Sequence, residues 1–373
     1  MFYFRIKYYC LRIAMLVPTR ILQITTVFVT VTTTYHFKML FVNFIELYDI
    51  FEHKTNGPVS ISVIEKLQSW NLLARDCVLK CKNGHYLKLY PDVRSLDGFG
   101  WRCRAPINKQ KNKCDYYQSI RVDTFFHKSH LSLYQIVSFA YLWLENVSLS
   151  FIVKQIKIAQ HTAVDWSSFH REVVFEAMIT NHNKIGGVGQ VVEIDESKFG
   201  RRKYNRGHRV DGQWIFGGVQ RETGDCFLIP VEKRDKDTLL TAINDWILPG
   251  TTIISDCWKS YQCLEDEVFV HLTVNHSIQF KNPETGAHTN TVEGMWRHAK
   301  ASLSQYSRKK RFYGGYLAKF MFLKRCRILN IEPLTEFFKL AGELYDPKAI
   351  QENNLLVSDD EASSETDEND EDL

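Results

Sequence analysis

A chain of 373 residues, 45% hydrophobic and 24% charged, is long enough for two or three domains with their own cores; its composition excludes disordered and fibrous classes. Lys and Arg number 47 against 43 acids, a net charge of +4; nine of those acids lie between Asp359 and Leu373, so the rest of the chain carries 47 basic against 34 acidic residues, a balance of +13. A basic body with an acidic tail calls for a polyanionic partner, nucleic acid being the usual one, and nine cysteines without a convincing secretory signal favour a reducing compartment and a metal site over a disulfide framework.

Residues 1–70 read as an extension of uncertain structure. Ile21 to Phe37 carries no acid or base, but its threonines and its length, below the roughly 20 apolar residues a span requires, make a membrane segment marginal. A β-rich or poorly ordered stretch is expected there. After the turn signal Asn56-Gly57-Pro58, Ile61, Ile64, Leu67 and Trp70 fall at helical spacing and predict a short amphipathic helix. Residues 71–130 are rich in loops, Lys and Arg, and hold Cys77-x3-Cys81 followed by Cys103-x10-Cys114. Four thiolates suit tetrahedral, structural Zn2+, and His85 is an alternative ligand. Free cysteines in a small domain are the competing explanation.

Residues 131–187 predict three helices, Leu131 to Glu145, Ser150 to Gln160 and His161 to Asn181, the third capped by Thr162 or Asp165. Such a triplet suits a helix-turn-helix whose last helix offers His161, Thr162, Asp165, Ser167, Ser168, His170 and Arg171 to DNA, or plain core packing. From Val191 the pattern changes to strands. Val191 to Glu196 is an apolar strand ending in acids, and Gln213 to Gln220 and Cys226 to Glu232 complete a meander. A helix capped by Asp237 or Thr238 runs to Leu248; the strands Thr251 to Asp256 and Phe269 to Val274 come next. A last helix opens at Thr289 to Glu293 and carries Met295, Trp296, Ala299 and Leu303.

Asp195, Asp256 and Glu293 form a set suited to phosphodiester cleavage, because hard divalent ions require oxygen ligands and stabilise both oxygens of an in-line displacement. Each acid also has a local alternative: a strand end for the aspartates, and a capping box Asn290-x-x-Glu293 for the glutamate. Three ordered blocks decide between these readings. Val192-Glu193-Ile194-Asp195-Glu196-Ser197-Lys198-Phe199, Ser255-Asp256-Cys257-Trp258-Lys259-Ser260-Tyr261 and Thr289-Asn290-Thr291-Val292-Glu293-Gly294-Met295-Trp296 resemble the catalytic domain of the insertion-sequence transposases grouped with the ISXO-like domain and the eukaryotic Merlin superfamily. Trp101-Arg102-Cys103, Ser119-Ile120-Arg121 and Phe125-Phe126 resemble that family's N-terminal zinc-ribbon region, with a wider Cys77–Cys81 gap.

The resemblance implies an α/β, ribonuclease H-like catalytic domain over 188–335, a mixed sheet flanked by helices. It is preceded by the zinc-ribbon-like segment 71–130 and the helical, helix-turn-helix-like DNA-binding block 131–187. A C-terminal segment, 336–373, ends in the acidic tail, which is expected to be disordered. The resemblance further implies that Asp195, Asp256 and Glu293 bind Mg2+ or Mn2+ for DNA strand cleavage and strand transfer at element ends. The alternative is a domesticated DNA-binding protein that keeps the fold without transposition. Lys198, Arg201, Arg202, Lys203, Arg206 and Arg209, with Arg297 and Lys300 on the helix of Glu293, are candidate phosphate contacts. The expected partners are double-stranded DNA, both transposon ends and target, and further copies of the chain; no small-molecule substrate or membrane role is expected. Ser307 to Arg311 suits nuclear entry, so the expected location is the nucleus in a eukaryote and the cytoplasm otherwise.

Overall fold

In the computed structural model of the protein, the described residues are 42–106, 113–200, 212–256, 261, 264, 268–274, 286–303 and 310–351. The stretch Ile21 to Phe37, the basic residues Arg201, Arg202, Lys203, Arg206 and Arg209, the run Ser307 to Lys309 and the acidic tail lie outside them. Among the described residues, no helix is long and apolar enough to cross a membrane.

Helix α1 (Phe44–Ile50) starts at a capping box, Asn43 with Glu46. Helix α2 (Ile61–Ser69) buries Val63, Ile64 and Leu67, the face its spacing predicts. Strands β1 (Lys88–Pro91), β2 (Phe99–Cys103) and β3 (Tyr116–Ser119) form an antiparallel sheet in that order. One ion pair ties this sheet to the helical block after it. Arg121 donates Nε to Asp97 Oδ2 at 2.6 Å and Nη2 to Oδ1 at 2.5 Å, while Nη1 reaches the carbonyls of Ser129 (2.9 Å) and Leu131 (2.8 Å). Both side chains are almost wholly buried, so every guanidinium nitrogen needs the partner it has.

Helices α3 (Leu133–Leu144), α4 (Leu149–Ile156) and α5 (Gln160–Phe175) come next, and α5 runs on through a π-helical turn, Glu176–Thr180. Ala159 is the N-cap of α5, so Thr162 and Asp165 lie inside the helix instead of capping it. Ser167 and His170 also depart from the expected DNA-facing set. Ser167 is buried and accepts from Trp143 Nε1 at 3.1 Å. His170 is fully buried, with its ring stacked on Phe337 at 4.8 Å and its pKa pushed down to about 3 by desolvation.

The second sheet has the order β10-β9-β5-β6-β7. Strands β5 (Val191–Phe199), β6 (Gln213–Gln220) and β7 (Cys226–Val231) form an antiparallel meander, and β9 (Thr252–Asp256) and β10 (Val270–Val274) add in parallel beside β5. The short strands β4 (Ile185–Gly186) and β8 (Ile247–Leu248) pair separately. Helix α6 (Lys236–Trp246) is capped by Asp235, whose side chain accepts from Thr238 N at 3.0 Å, in place of the expected Asp237 or Thr238. Trp246 of α6 stacks on Phe227 at 5.2 Å, covering one sheet face. Helix α7 (Asn290–Ser302) covers the other, and α8 (Tyr313–Ile328) runs between β7 and α5. Its Gly314 makes the approach to α5 possible, since a Cβ there would stand 2.8 Å from the Phe175 ring. Helix α9 (Pro333–Leu344) returns to α3 and α5 and packs Phe338 on Trp70 at 5.2 Å. Among the described residues the main core runs from Leu47 to Ala341, and Ile254, Val274 and Ala287 form a smaller separate cluster at the β9–β10 edge.

Arg121→Ala leaves Asp97 charged, buried and unpaired. It is expected to cost about 3–5 kcal/mol of stability, read by chemical denaturation; a loss below about 1 kcal/mol would show that the pair does not hold the sheet to the helices.

Candidate active site

Side-chain alternation along β5 sorts its acids. Glu193, Asp195 and Phe199 meet α7, while Ile194 packs on the opposite face, where Phe227 lies between the sheet and Trp246. Asp195 lies opposite Gly217 of β6. On its other side the parallel register pairs Val191 with Thr252 and Glu193 with Ile254, and two residues further along it Asp195 comes level with Asp256 at the end of β9.

Glu293 reaches the same place because Glu193 holds the start of α7. Glu193 is fully buried and accepts from the backbone amides of Thr291 (2.8 Å) and Val292 (2.9 Å), from the Thr291 hydroxyl (2.8 Å) and from Arg221 Nε (2.6 Å). Arg221 also donates to the His288 carbonyl at 2.6 Å. A carboxylate on the positive end of a helix, accepting two of its otherwise unpaired amides, is an N-cap supplied from another strand. The N-cap residue Thr289 makes no side-chain capping bond to the helix amides, so the local capping box is not what starts α7. Glu293 is exposed in the first turn, toward Asp195.

Burial is the main reason the Asp195 carboxyl rises from 3.8 to about 6, and the charges of Asp256 and Glu293 push it further in the same direction. Trp296 Nε1 donates to Asp195 Oδ2 at 2.9 Å, which fixes the carboxylate's orientation. The indole fits because residue 217 is glycine: a Cβ there would stand 2.8 Å from Trp296 Cη2. On the next residue of β5 Tyr261 donates its hydroxyl to Glu196, whose carboxyl is raised to about 7, chiefly by burial.

The basic candidates separate. Lys300 extends over the Phe199 ring at 5.5 Å on the Asp195 side of the sheet, and Asp195 favours its charged form against burial, which lowers its pKa. Arg297 is exposed on the same helix. Lys198 lies over Trp214 at 5.5 Å on the opposite face, apart from these two. Glu193, Trp296 and Gly217 were not singled out as site residues from sequence. The signals for them were an acid two residues before Asp195 in an apolar strand, and a Trp one helical turn after Glu293.

Beside the first sheet, Cys81, His85, Cys103 and Cys114 bring one ligand atom each within 4.8 Å of one another, a group that could hold a metal ion. His85 Nδ1 lies 3.7 Å from both Cys81 and Cys103 Sγ, and Cys114 Sγ lies 3.8 Å from Cys81 Sγ. A tetrahedral ion with Zn–S bonds of about 2.3 Å separates its sulfurs by about 3.8 Å, so the donors fit. Cys77 stands outside the group: it is exposed, with φ at 61°, and His85 takes the fourth place.

A five-stranded mixed sheet with acids from two neighbouring strands and a capped helix defines a mixed α/β protein with a carboxylate site. Residues 186–323 match the ISXO2-like transposase domain. An uncharacterized transposase-like protein of Haemophilus influenzae is 28% identical over 81 residues, covering 22% of this chain and 64% of that protein. Male abnormal protein mab-31 of Caenorhabditis elegans is 24% identical over 142 residues, 36% of this chain and 33% of that protein. The chain thus spans less than two thirds of either relative. Among solved structures, a chain from the simian T-cell lymphotropic virus intasome in complex with PP2A regulatory subunit B56 gamma is 11% identical with a TM-score of 0.25, covering 49% of this chain and 67% of that one.

An acid whose pKa is higher folded than unfolded binds more protons in the folded state, so stability falls as pH rises between the two values. For Asp195 that window runs from 3.8 to about 6. Asp195→Asn is therefore expected to raise the melting temperature of metal-free protein at about pH 7.5 by a few degrees and to leave it unchanged near pH 4. Calorimetry in chelator checks this, and equal melting of the two proteins at both pH values would remove the account of a destabilising, largely buried carboxylate at Asp195.

Proposed function

We propose that the chain is a DNA transposase of the DDE type, or a protein descended from one, with Asp195, Asp256 and Glu293 as its catalytic carboxylates. The observation that carries the reading is geometric: the β5–β9 register brings Asp195 level with Asp256, and Glu193, on the same strand, anchors the helix whose first turn holds Glu293, within a match to a transposase domain. A sheet of order β10-β9-β5-β6-β7, three antiparallel strands followed by two parallel ones, supports a ribonuclease H-like domain. The all-oxygen donor set suits Mg2+ or Mn2+, which, when bound, would activate water and the DNA 3′-hydroxyl and stabilise the oxygens of the displacement.

The chain's own residues would do the remaining work. Trp296 holds one oxygen of Asp195, Glu193 fixes the helix that carries Glu293, and Lys300 with Arg297 would meet DNA phosphates beside them. The protein would act on double-stranded DNA as an assembly of copies, in the nucleus if its host is a eukaryote. Zn2+ in the Cys81, His85, Cys103, Cys114 group would be structural, since four protein ligands leave no open position.

Cleavage and metal content test these assignments separately. Asp256→Asn is expected to abolish Mn2+-dependent cleavage of DNA carrying the sequences that flank the gene, with duplex binding kept. Retained cleavage would refute the carboxylate assignment; a wild type that binds and never cleaves such DNA would favour the domesticated reading. Purified protein is expected to hold one Zn2+ per chain by metal analysis, lost in His85→Ala and Cys103→Ser but kept in Cys77→Ser. Zinc lost with Cys77 and kept without His85 would reverse the ligand assignment.

A further inference from the structure

The three-stranded sheet has an outer face that the carboxylate site does not use. Its register aligns Lys88 with Arg102 and Arg102 with Tyr117, and Tyr90 with Gly100 and Gly100 with Ser119. Alternation therefore puts these six residues on one side, while Leu89, Trp101 and Cys103 turn toward the core and the metal-ligand group. Arg104, two residues past Arg102, continues the outer side and is exposed.

Two tyrosines hold the guanidiniums in place. Arg102 lies over the Tyr117 ring at 5.4 Å and Arg104 over the Tyr90 ring at 5.3 Å. Tyr117 lies flat against the sheet because residue 100 is glycine: a Cβ there would stand 2.4 Å from Tyr117 Cε2. Buried Asp92 lies 3.9 Å from Arg102 and 3.6 Å from Arg94, whose side chain is 81% exposed. Lys88, Arg94, Arg102 and Arg104 thus outnumber the acids beside them: Asp92, the exposed Asp115, and the exposed Asp76, whose Oδ1 accepts from the Leu89 amide at 2.9 Å.

We propose that this outer sheet face, through Lys88, Arg102 and Arg104 steadied by Tyr90 and Tyr117, is a second DNA-binding surface that grips the phosphates of duplex DNA. A guanidinium held flat on an aromatic ring presents its N–H edge outward, the geometry that pairs bidentately with phosphate. Because the rings are already covered by guanidiniums, they are not bare stacking platforms, which sets duplex backbone above unpaired bases as the occupant. Contacts of this kind fix position and carry no sequence information. The inference rests on DNA being the chain's partner and is independent of the carboxylates.

The test is binding of the full-length chain, without added divalent metal, to a labelled duplex of arbitrary sequence, monitored by polarisation across a salt series. Each lost phosphate contact makes the slope of log affinity against log salt shallower by about 0.9. The triple variant Lys88→Ala, Arg102→Ala, Arg104→Ala is expected to flatten it by about 2–3. A control triple at exposed positions elsewhere, Lys54→Ala, Lys236→Ala, Lys339→Ala, is expected to keep the wild-type slope. Arg104→Ala alone, beyond the end of β2, is expected to flatten it by about 0.9 and serves if the triple does not fold. A wild-type slope in Arg104→Ala and in the folded triple, or a loss confined to single strands, overturns the assignment. Wild-type protein with no duplex affinity at low salt would instead overturn the DNA reading as a whole.

Discussion

The buried carboxylate of Glu193 is the constraint on which the site depends. Taking a charge out of water costs several kcal/mol unless its oxygens are fully partnered. Two helix amides, a hydroxyl and Arg221 provide that partnership. Those partners come from the first turn of α7 and from the residue just after β6. Asp195 stands two residues after Glu193, and Glu293 comes directly after Val292, whose amide Glu193 receives. Strand and helix are therefore held in register at the point where their acids meet, and a one-residue slip of β5 would turn both strand acids to the wrong face.

That register gathers like charges. The raised carboxyl of Asp195 records the cost of holding a partly buried acid beside Asp256 and Glu293. Packing opposes the repulsion: Trp296 is clamped between Asp195 and the bare backbone of Gly217, and Tyr261 donates to Glu196. The surrounding fold thus fixes the position of Asp195 through its own side chains.

The first sheet is held by other means. It is small, and Leu89, Trp101 and Phe99 alone give it little core. Its attachment comes from the Asp97–Arg121 pair on one side and the Cys81, His85, Cys103, Cys114 group on another. Counting thiols in the sequence selected Cys77, but the tight turn from Cys81 to His85, closed by the Cys81 amide on the His85 carbonyl at 2.9 Å, brings the imidazole back to the thiols. Four residues of turn outweigh the chemical likeness of a fourth cysteine.

Much of the strand and helix order was legible because it rests on periodicity: apolar alternation marked β5 to β7 and β9, and helical spacing marked α2 and α3. Asp256 was legible as a strand end and Glu293 as a helix start, but the strand expected to end at Glu196 runs on to Phe199 through its pairing with β6, which leaves Asp195 in mid-strand. Other helix starts were less legible, because local chemistry offers several caps within a few residues; Asp235 and Ala159 took the places expected for neighbours. His170 and Ser167 looked like DNA contacts on a helix and are core, since a helical pattern alone does not say which polar residues find partners inside. Most of all, the sequence named the carboxylates but not what holds them. Glu193, Trp296 and Gly217 act across separations of about a hundred residues or between neighbouring strands, and only tertiary packing decides which distant amide, indole or bare backbone a side chain meets.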